Sequence, residues 1–402
     1  MLASPFPGGG AQPRFGVSRG AVSGLLTTLG GVATGAAVEA ALASLLAELV
    51  RESFGARARV RRAAPLAGDA STRRYARVWL EGPNVPASAV AMILADRGVT
   101  LSSDELAVLE QPVAELPYLN VHRFLVALGV AVPRLYADAS ERGVLLLEDV
   151  GDTALWDAVA QRVGGAEPAC VTALFERAIE QLLLIQVQGT RRFDRHCIAF
   201  QQAFDERLFM WEFEHFIEYG LERRVGRSLP AAEAAILRSH FTAIARVLAA
   251  QPRYLSHRDF HSWNLFVQGG AIRVLDFQDA LLAPAPYDLA TLLGDRDTPR
   301  VIRPPTEAAL LDYYRRRWRE LSGLDLGAGA LGEVYFLCAL QKALKVVGRF
   351  YFLDCEKGKP GYLRYIPSTL RQIERLLPRF PEHAEMANIL RSYLPEVDPC
   401  GP

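Results

Sequence analysis

The chain has 402 residues, half of them apolar, with 45 basic and 45 acidic side chains and a formal net charge of zero. That length gives room for two lobes with real cores, and the composition excludes a largely disordered chain. The charge balance lacks the basic excess of a nucleic-acid binder, so the expected partner is a small molecule, with neither nucleic acid nor membrane.

Residues 1–36, rich in Gly, Pro and Ser, read as a flexible extension. Glycines and hydroxyl side chains interrupt the stretch from Ala21 to Val38, and Glu39 and Glu48 follow. This pattern argues against a membrane span or a secretory leader. An amphipathic helix is expected near 37–53. Strands follow over 57–65, 75–80 and 87–94, with a polar turn, Gly68-Asp69-Ala70-Ser71-Thr72-Arg73-Arg74, after the first. Residues 103–129 read as mostly helical, and 132–136 and 144–147 as strands, the second running into Glu148-Asp149-Val150-Gly151-Asp152. Beyond this point Val171, Leu174, Phe175, Ala178, Leu182 and Ile185 recur at helical spacing, as do Phe204, Leu208, Trp211 and His215. A β-rich stretch at 254–282 interrupts the helices, which resume to about 392. The order predicts an α+β, two-lobed protein-kinase-like fold. A small β-rich nucleotide-binding lobe would cover 37–150, and a large, mostly helical lobe with the catalytic loop and acceptor site would cover 151–395.

Five scattered cysteines without C-x-x-C spacing exclude zinc and redox motifs and suit a reducing cytoplasm. Lysine occurs only at Lys342, Lys345, Lys357 and Lys359, and arginine fills the other basic positions apart from the histidines.

The densest chemistry lies in His257-Arg258-Asp259-Phe260-His261-Ser262-Trp263-Asn264 and Asp276-Phe277-Gln278-Asp279. Two short strands separate them, joined by a Gly269-Gly270 hairpin turn. The hairpin brings Asn264 and Asp276 to one end, with Asp259 five residues upstream of Asn264. Phosphoryl transfer needs one carboxylate to orient the acceptor hydroxyl and take its proton. It also needs a carboxylate and a neutral amide to hold magnesium against a triphosphate. H-R-D-x-x-x-x-N followed by D-F has those mechanics. Asp259, Asn264 and Asp276 are therefore the expected phosphoryl-transfer centre. His257 is expected to brace the loop. Asp288 would cap a helix or brace that loop. His261 would touch phosphate or acceptor, or only pack the loop. Asp279 would hold metal or substrate, or only make a turn.

These residues, with Tyr287-Asp-Leu-Ala290, resemble the aminoglycoside phosphotransferase and choline kinase superfamily. Within it the chain is most similar to the branch of anomeric sugar kinases acting on N-acetylmuramate and N-acetylglucosamine. The stretches Gly68–Tyr75, Leu145–Gly151, Phe204–Leu208, Leu344–Gly348 and Gly358–Leu363 carry that finer resemblance. It implies an ATP-dependent transfer to the C1 hydroxyl of an N-acetylated amino sugar, in cell-wall sugar recycling. Asp259 would be the base, and Asn264 and Asp276 would bind magnesium. Ser71 and Thr72 would cover the phosphates, and backbone around Glu148 to Val150 would meet the adenine. The third strand, Ala-Val-Ala-Met-Ile-Leu, lacks the lysine that most kinases carry there, so Arg73 or Arg74 is expected to supply phosphate charge. Asp205, Trp211 and Glu212, on one expected helix, are candidate acceptor contacts. Phosphorylation of an aminoglycoside or choline is the alternative activity, and a non-catalytic nucleotide-binding regulator the alternative class.

Overall fold

The computed structural model describes residues 35–66, 74–94, 115–160 and 168–394. Ser71, Thr72, Arg73 and most of the expected N-terminal extension lie outside the described residues, as does the first half of the helix expected over 103–129. Helix α1 (Gly35–Phe54) leads into β1 (Arg59–Leu66), β2 (Arg74–Glu81) and β3 (Ser88–Ile93). After α2 (Pro117–Ala127) come β4 (Leu135–Ala139) and β5 (Val144–Glu148). The five strands form one antiparallel sheet in the order β1-β2-β3-β5-β4.

Strand alternation assigns the two faces of this sheet. Ala76, Val78 and Leu80 of β2, Ala89 and Ala91 of β3, and Val144 and Leu146 of β5 pack on Leu45, Leu46, Leu49 and Val50 of α1. Their neighbours Tyr75, Arg77, Val90, Met92 and Leu147 face the opposite way, into a cleft. The strand expected over 132–136 begins only at Leu135. Pro133 has no N–H for a ladder, and its carbonyl instead accepts from His122 Nε2 at 2.8 Å.

The rest is mostly helical: α3 (Leu155–Ala160), α4 (Pro168–Leu183), α5 (Glu206–His215), α6 (Ala231–Ala249), α7 (Pro286–Gly294), α8 (Pro304–Ser322), α9 (Ala328–Cys355), α10 (Ile366–Leu376) and α11 (Ala384–Tyr393). Two small hairpins interrupt it: β6 (Arg253–Ser256) with β9 (Leu281–Pro284), and β7 (Leu265–Gln268) with β8 (Ala271–Val274). Gly269 and Gly270 turn the second with φ of 57° and 81°, the left-handed pair a two-residue hairpin requires.

Helix α9, 28 residues long, is the spine of this lobe. It crosses the π-helical continuation of α5 at Gly348, where a Cβ would stand 2.7 Å from Phe216 Cα and 3.0 Å from His215 O. Only glycine permits that backbone-to-backbone approach. The contact seats α9 so that Lys342 lies against the loop after β6 and Lys345 against Glu212 of α5. No helix among the described residues is long and apolar enough to cross a membrane.

Candidate active site

The loop between β6 and β7 is held rigidly. Asp288, at the start of α7 and fully buried, accepts backbone N–H groups from His257 at 2.8 Å and Arg258 at 2.9 Å. Burial raises the Asp288 carboxyl, while His257 and these hydrogen bonds favour its charge. His257 Nε2 meets the carbonyl of Leu275 at 2.9 Å, tying the loop to the end of β8. Two non-glycine residues here occupy left-handed backbone, Arg258 at φ 77° and Asp276 at φ 61°. Such strain persists only where surrounding contacts enforce it, and it aims both side chains in ways a relaxed loop would not.

The hairpin unites the expected triad. Asn264 Nδ2 donates to the Asp259 carbonyl at 3.0 Å and reaches Asp276 Oδ2 at 3.4 Å. Gln278 Nε2 donates to Asp276 Oδ1 at 2.9 Å and to Asp279 Oδ2 at 3.3 Å. All of these residues line a cleft of about 700 Å³ between the five-stranded sheet and the helical lobe.

Lys342 completes the centre from α9. Its Nζ donates to Asp259 Oδ1 at 2.9 Å and to the Arg258 carbonyl at 3.2 Å, and it lies 5.3 Å from the centre of the Tyr287 ring. Burial alone would raise the Asp259 carboxyl. The charge of Lys342, with Lys345 and Arg258 beyond it, outweighs burial and holds that carboxyl well below the usual carboxylate range. His261, driven down chiefly by burial and then by Arg296, is the neutral imidazole at neutral pH.

Glu148 and Val150 line the cleft where the sheet runs into the helical lobe. The Glu148 carboxylate is already engaged by the Arg273 guanidinium and by the Arg134 N–H at 3.0 Å, so only backbone there is offered to a ligand. Arg77 clamps this connection, pairing with Asp149 at 2.6 Å and Asp152 at 2.7 Å, while Ser88 Oγ also donates to Asp149 at 2.7 Å. At β3 the cleft meets Val90 and Met92 rather than a cation. Arg74 opens β2 with an exposed side chain and does not line the cleft.

The three acceptor candidates on α5 do not line the cleft either. Asp205 caps the helix, accepting the Leu208 N–H at 2.8 Å. Trp211 is 39% exposed and stacks on His215. Glu212 is fully buried beneath the cleft floor, bonded to Gln341 at 2.6 Å and paired with Lys345 at 3.3 Å. His261 and Asp279 do line the cleft.

Comparison with known proteins adds identity to this geometry. Residues 62–324 match the model of the phosphotransferase enzyme family. The chain belongs to that family. This phosphotransferase is 30% identical to the N-acetylmuramate/N-acetylglucosamine kinase of Pseudomonas aeruginosa, over 82% of its own length and 87% of the relative's. It is likewise 30% identical to the protein of that name from Caulobacter vibrioides, covering 75% of this chain and 84% of that one. Its fold superposes on a choline kinase from Cryptosporidium parvum with a TM-score of 0.56 at 9% identity, covering 87% and 99% of the two chains. The phosphotransferase is a small-molecule kinase with a two-lobed, kinase-like fold.

Lys342 and Lys345 are the residues that sequence reasoning did not place in this phosphotransferase's site. Their only signal was rarity, since a chain that otherwise favours arginine keeps two of its four lysines buried here. Replacing Lys342 by Met removes the nearest positive charge from Asp259, which favours the neutral acid. We expect turnover to fall on the order of 10²-fold, and the acid limb of the pH–rate profile to move to higher pH. An unmoved limb in the Lys342→Met variant would show that Lys342 does not govern the ionisation of Asp259.

Proposed function

We propose that this kinase transfers the γ-phosphate of ATP to the C1 hydroxyl of N-acetylmuramate or N-acetylglucosamine, in the cytoplasm. The observation that carries the reading is the convergence of Asp259, Asn264 and Asp276 on one cleft, fixed by the hydrogen bonds of Asn264. The acceptor class comes from the curated relatives, which bear that substrate in their name across most of the chain.

In this reading Asp259 accepts a hydrogen bond from the acceptor hydroxyl and takes its proton as the new ester forms. A depressed carboxyl is a weak base. That suits a loose transition state in which the proton leaves late and positioning dominates. Asn264 and Asp276 fit a magnesium ion: Mg²⁺ takes hard oxygen donors, keeps several waters and shares the phosphates. The Asn264 nitrogen is engaged by the Asp259 carbonyl, which leaves the amide oxygen as the donor for the ion. Magnesium, when bound, screens the charge on the phosphate oxygens. Asp279 would stand by as a further acceptor near the ion, and His261, neutral, as a hydrogen-bonding group toward phosphate or sugar. Backbone around Glu148 and Val150 would meet the adenine. The phosphate charge assigned to Arg73, and the cover assigned to Ser71 and Thr72, stay with this proposal, while Arg74, exposed and off the cleft, leaves it.

A cationic acceptor such as choline or an aminoglycoside fits less well. The carboxylates that would attract it are spent elsewhere: Asp205 on its helix cap, Glu206 on Arg246, Glu214 on Arg238 and Glu212 beneath the floor. An ATP-consumption screen over N-acetylmuramate, N-acetylglucosamine, other hexoses, choline and kanamycin tests this. Turnover with the two N-acetylated sugars is expected. Turnover confined to choline or kanamycin would overturn the acceptor assignment.

A further inference from the structure

One end of the cleft carries more positive charge than phosphoryl transfer to a neutral sugar requires. Along α9, Lys342, Lys345, Val346, Arg349, Phe350 and Leu353 form one cleft-facing stripe at helical spacing. Lys342 is committed to Asp259, and Lys345 faces the buried Glu212. Arg349, seven residues beyond Lys342 and so about 10 Å further along the helix axis, has no carboxylate partner among the described residues. Its guanidinium carbon rests 4.9 Å from the centre of the Phe352 ring.

Arg296 approaches the same end from the segment after α7. Its backbone is left-handed, at φ 50°, and its side chain is only 11% exposed. The guanidinium carbon lies 5.5–5.9 Å from the ring centres of Trp263, Phe350, Tyr362 and Tyr365. Its Nε comes within 3.4 Å of Asp295 Oδ2, yet neither atom makes a hydrogen bond, and Trp263 Nε1 is also buried without an acceptor. A buried guanidinium Nε–H and a buried indole N–H, both without a hydrogen-bond acceptor, are costly unless a ligand supplies one. An aromatic box around a guanidinium orients its remaining donors without neutralising its charge.

We propose that Arg296 and Arg349 form an anion subsite for a carboxylate carried by the acceptor on the side of the ring away from the reacting hydroxyl. The preferred substrate is therefore an acidic amino sugar, and its neutral counterpart is the poorer one. This rests on the amino-sugar kinase reading above. Trp263, Phe350 and Tyr362 supply apolar faces for the ring, and the two arginines read its acid.

The test uses two sugars that differ only in an O-linked lactyl group, which carries the carboxylate: N-acetylmuramate and N-acetylglucosamine. Michaelis constants for each, and for ATP, are measured on the wild-type protein and on Arg349→Gln and Arg296→Gln. Arg349 makes no ion pair with a carboxylate of the described residues, so its variant keeps the question open to an answer if Arg296→Gln fails to fold. The wild type is expected to favour the acid sugar in kcat/KM. Each variant should lower the acid-to-neutral ratio by roughly ten-fold or more, mainly through KM for the acid sugar. An unchanged ratio, or a rise in KM for ATP in place of the acid sugar, would overturn the subsite while leaving the kinase reading intact. Phosphorylation of neither sugar would remove both together.

Discussion

The Asp259→Asn variant should bind ATP with near wild-type affinity and lose roughly 10²- to 10⁴-fold in turnover. Asn keeps the shape and can still accept a hydrogen bond from the acceptor, but it cannot take a proton. It also forfeits the charge that Lys342 balances at 2.9 Å. The loss should fall on kcat in steady-state assays, because the nucleotide contacts proposed around Glu148 and Val150 lie on the sheet side of the cleft. Titration with a non-hydrolysable ATP analogue separates the two effects. A variant that turns over at the wild-type rate would remove Asp259 from the chemistry. One that loses nucleotide affinity in parallel would recast it as a binding residue.

Asp276→Asn should be as severe by a different route. Asn tolerates left-handed backbone nearly as well as Asp, so the φ of 61° is preserved and the fold should hold. What disappears is a full negative charge at the open end of the β7–β8 hairpin, beside an amide that cannot replace it. We expect magnesium-dependent nucleotide binding to weaken by more than about ten-fold, and turnover to drop on the order of 10³-fold. Calorimetric titration with and without magnesium reads this directly: the magnesium increment should vanish. If the increment persists, the ion is held elsewhere in the cleft.

Local chemistry made the centre legible. The spacing of Asp259, Asn264 and Asp276 needed only a hairpin between them, and Gly269-Gly270 announced it. The apolar and alternating runs likewise placed β2, β3 and β5 as strands, though not which face of each would meet the cleft. The failures share a cause, which is that burial and partnership over long separations leave no local mark. Lys342 meets Asp259 across 83 residues of sequence, and nothing near either residue points to the other. Asp205 stands just ahead of a helical run, which is the cap signature, yet its charge drew it into the acceptor site. Glu212 shares the helical face of Leu208 and His215, and only the fold reveals that this face is inward and that two cations and a glutamine wait there. The cation missing from β3 was sought in the polar turn ahead of β2. The described basic residue of β2 that does line the cleft, Arg77, is instead locked to Asp149 and Asp152.

The kinase account depends on where the phosphate goes. Phosphorus NMR of a reaction containing ATP, magnesium and N-acetylmuramate should show a new phosphomonoester whose signal couples to the anomeric proton, growing as the γ-phosphate signal declines. A spectrum in which ATP stays intact, or yields inorganic phosphate alone, would contradict it.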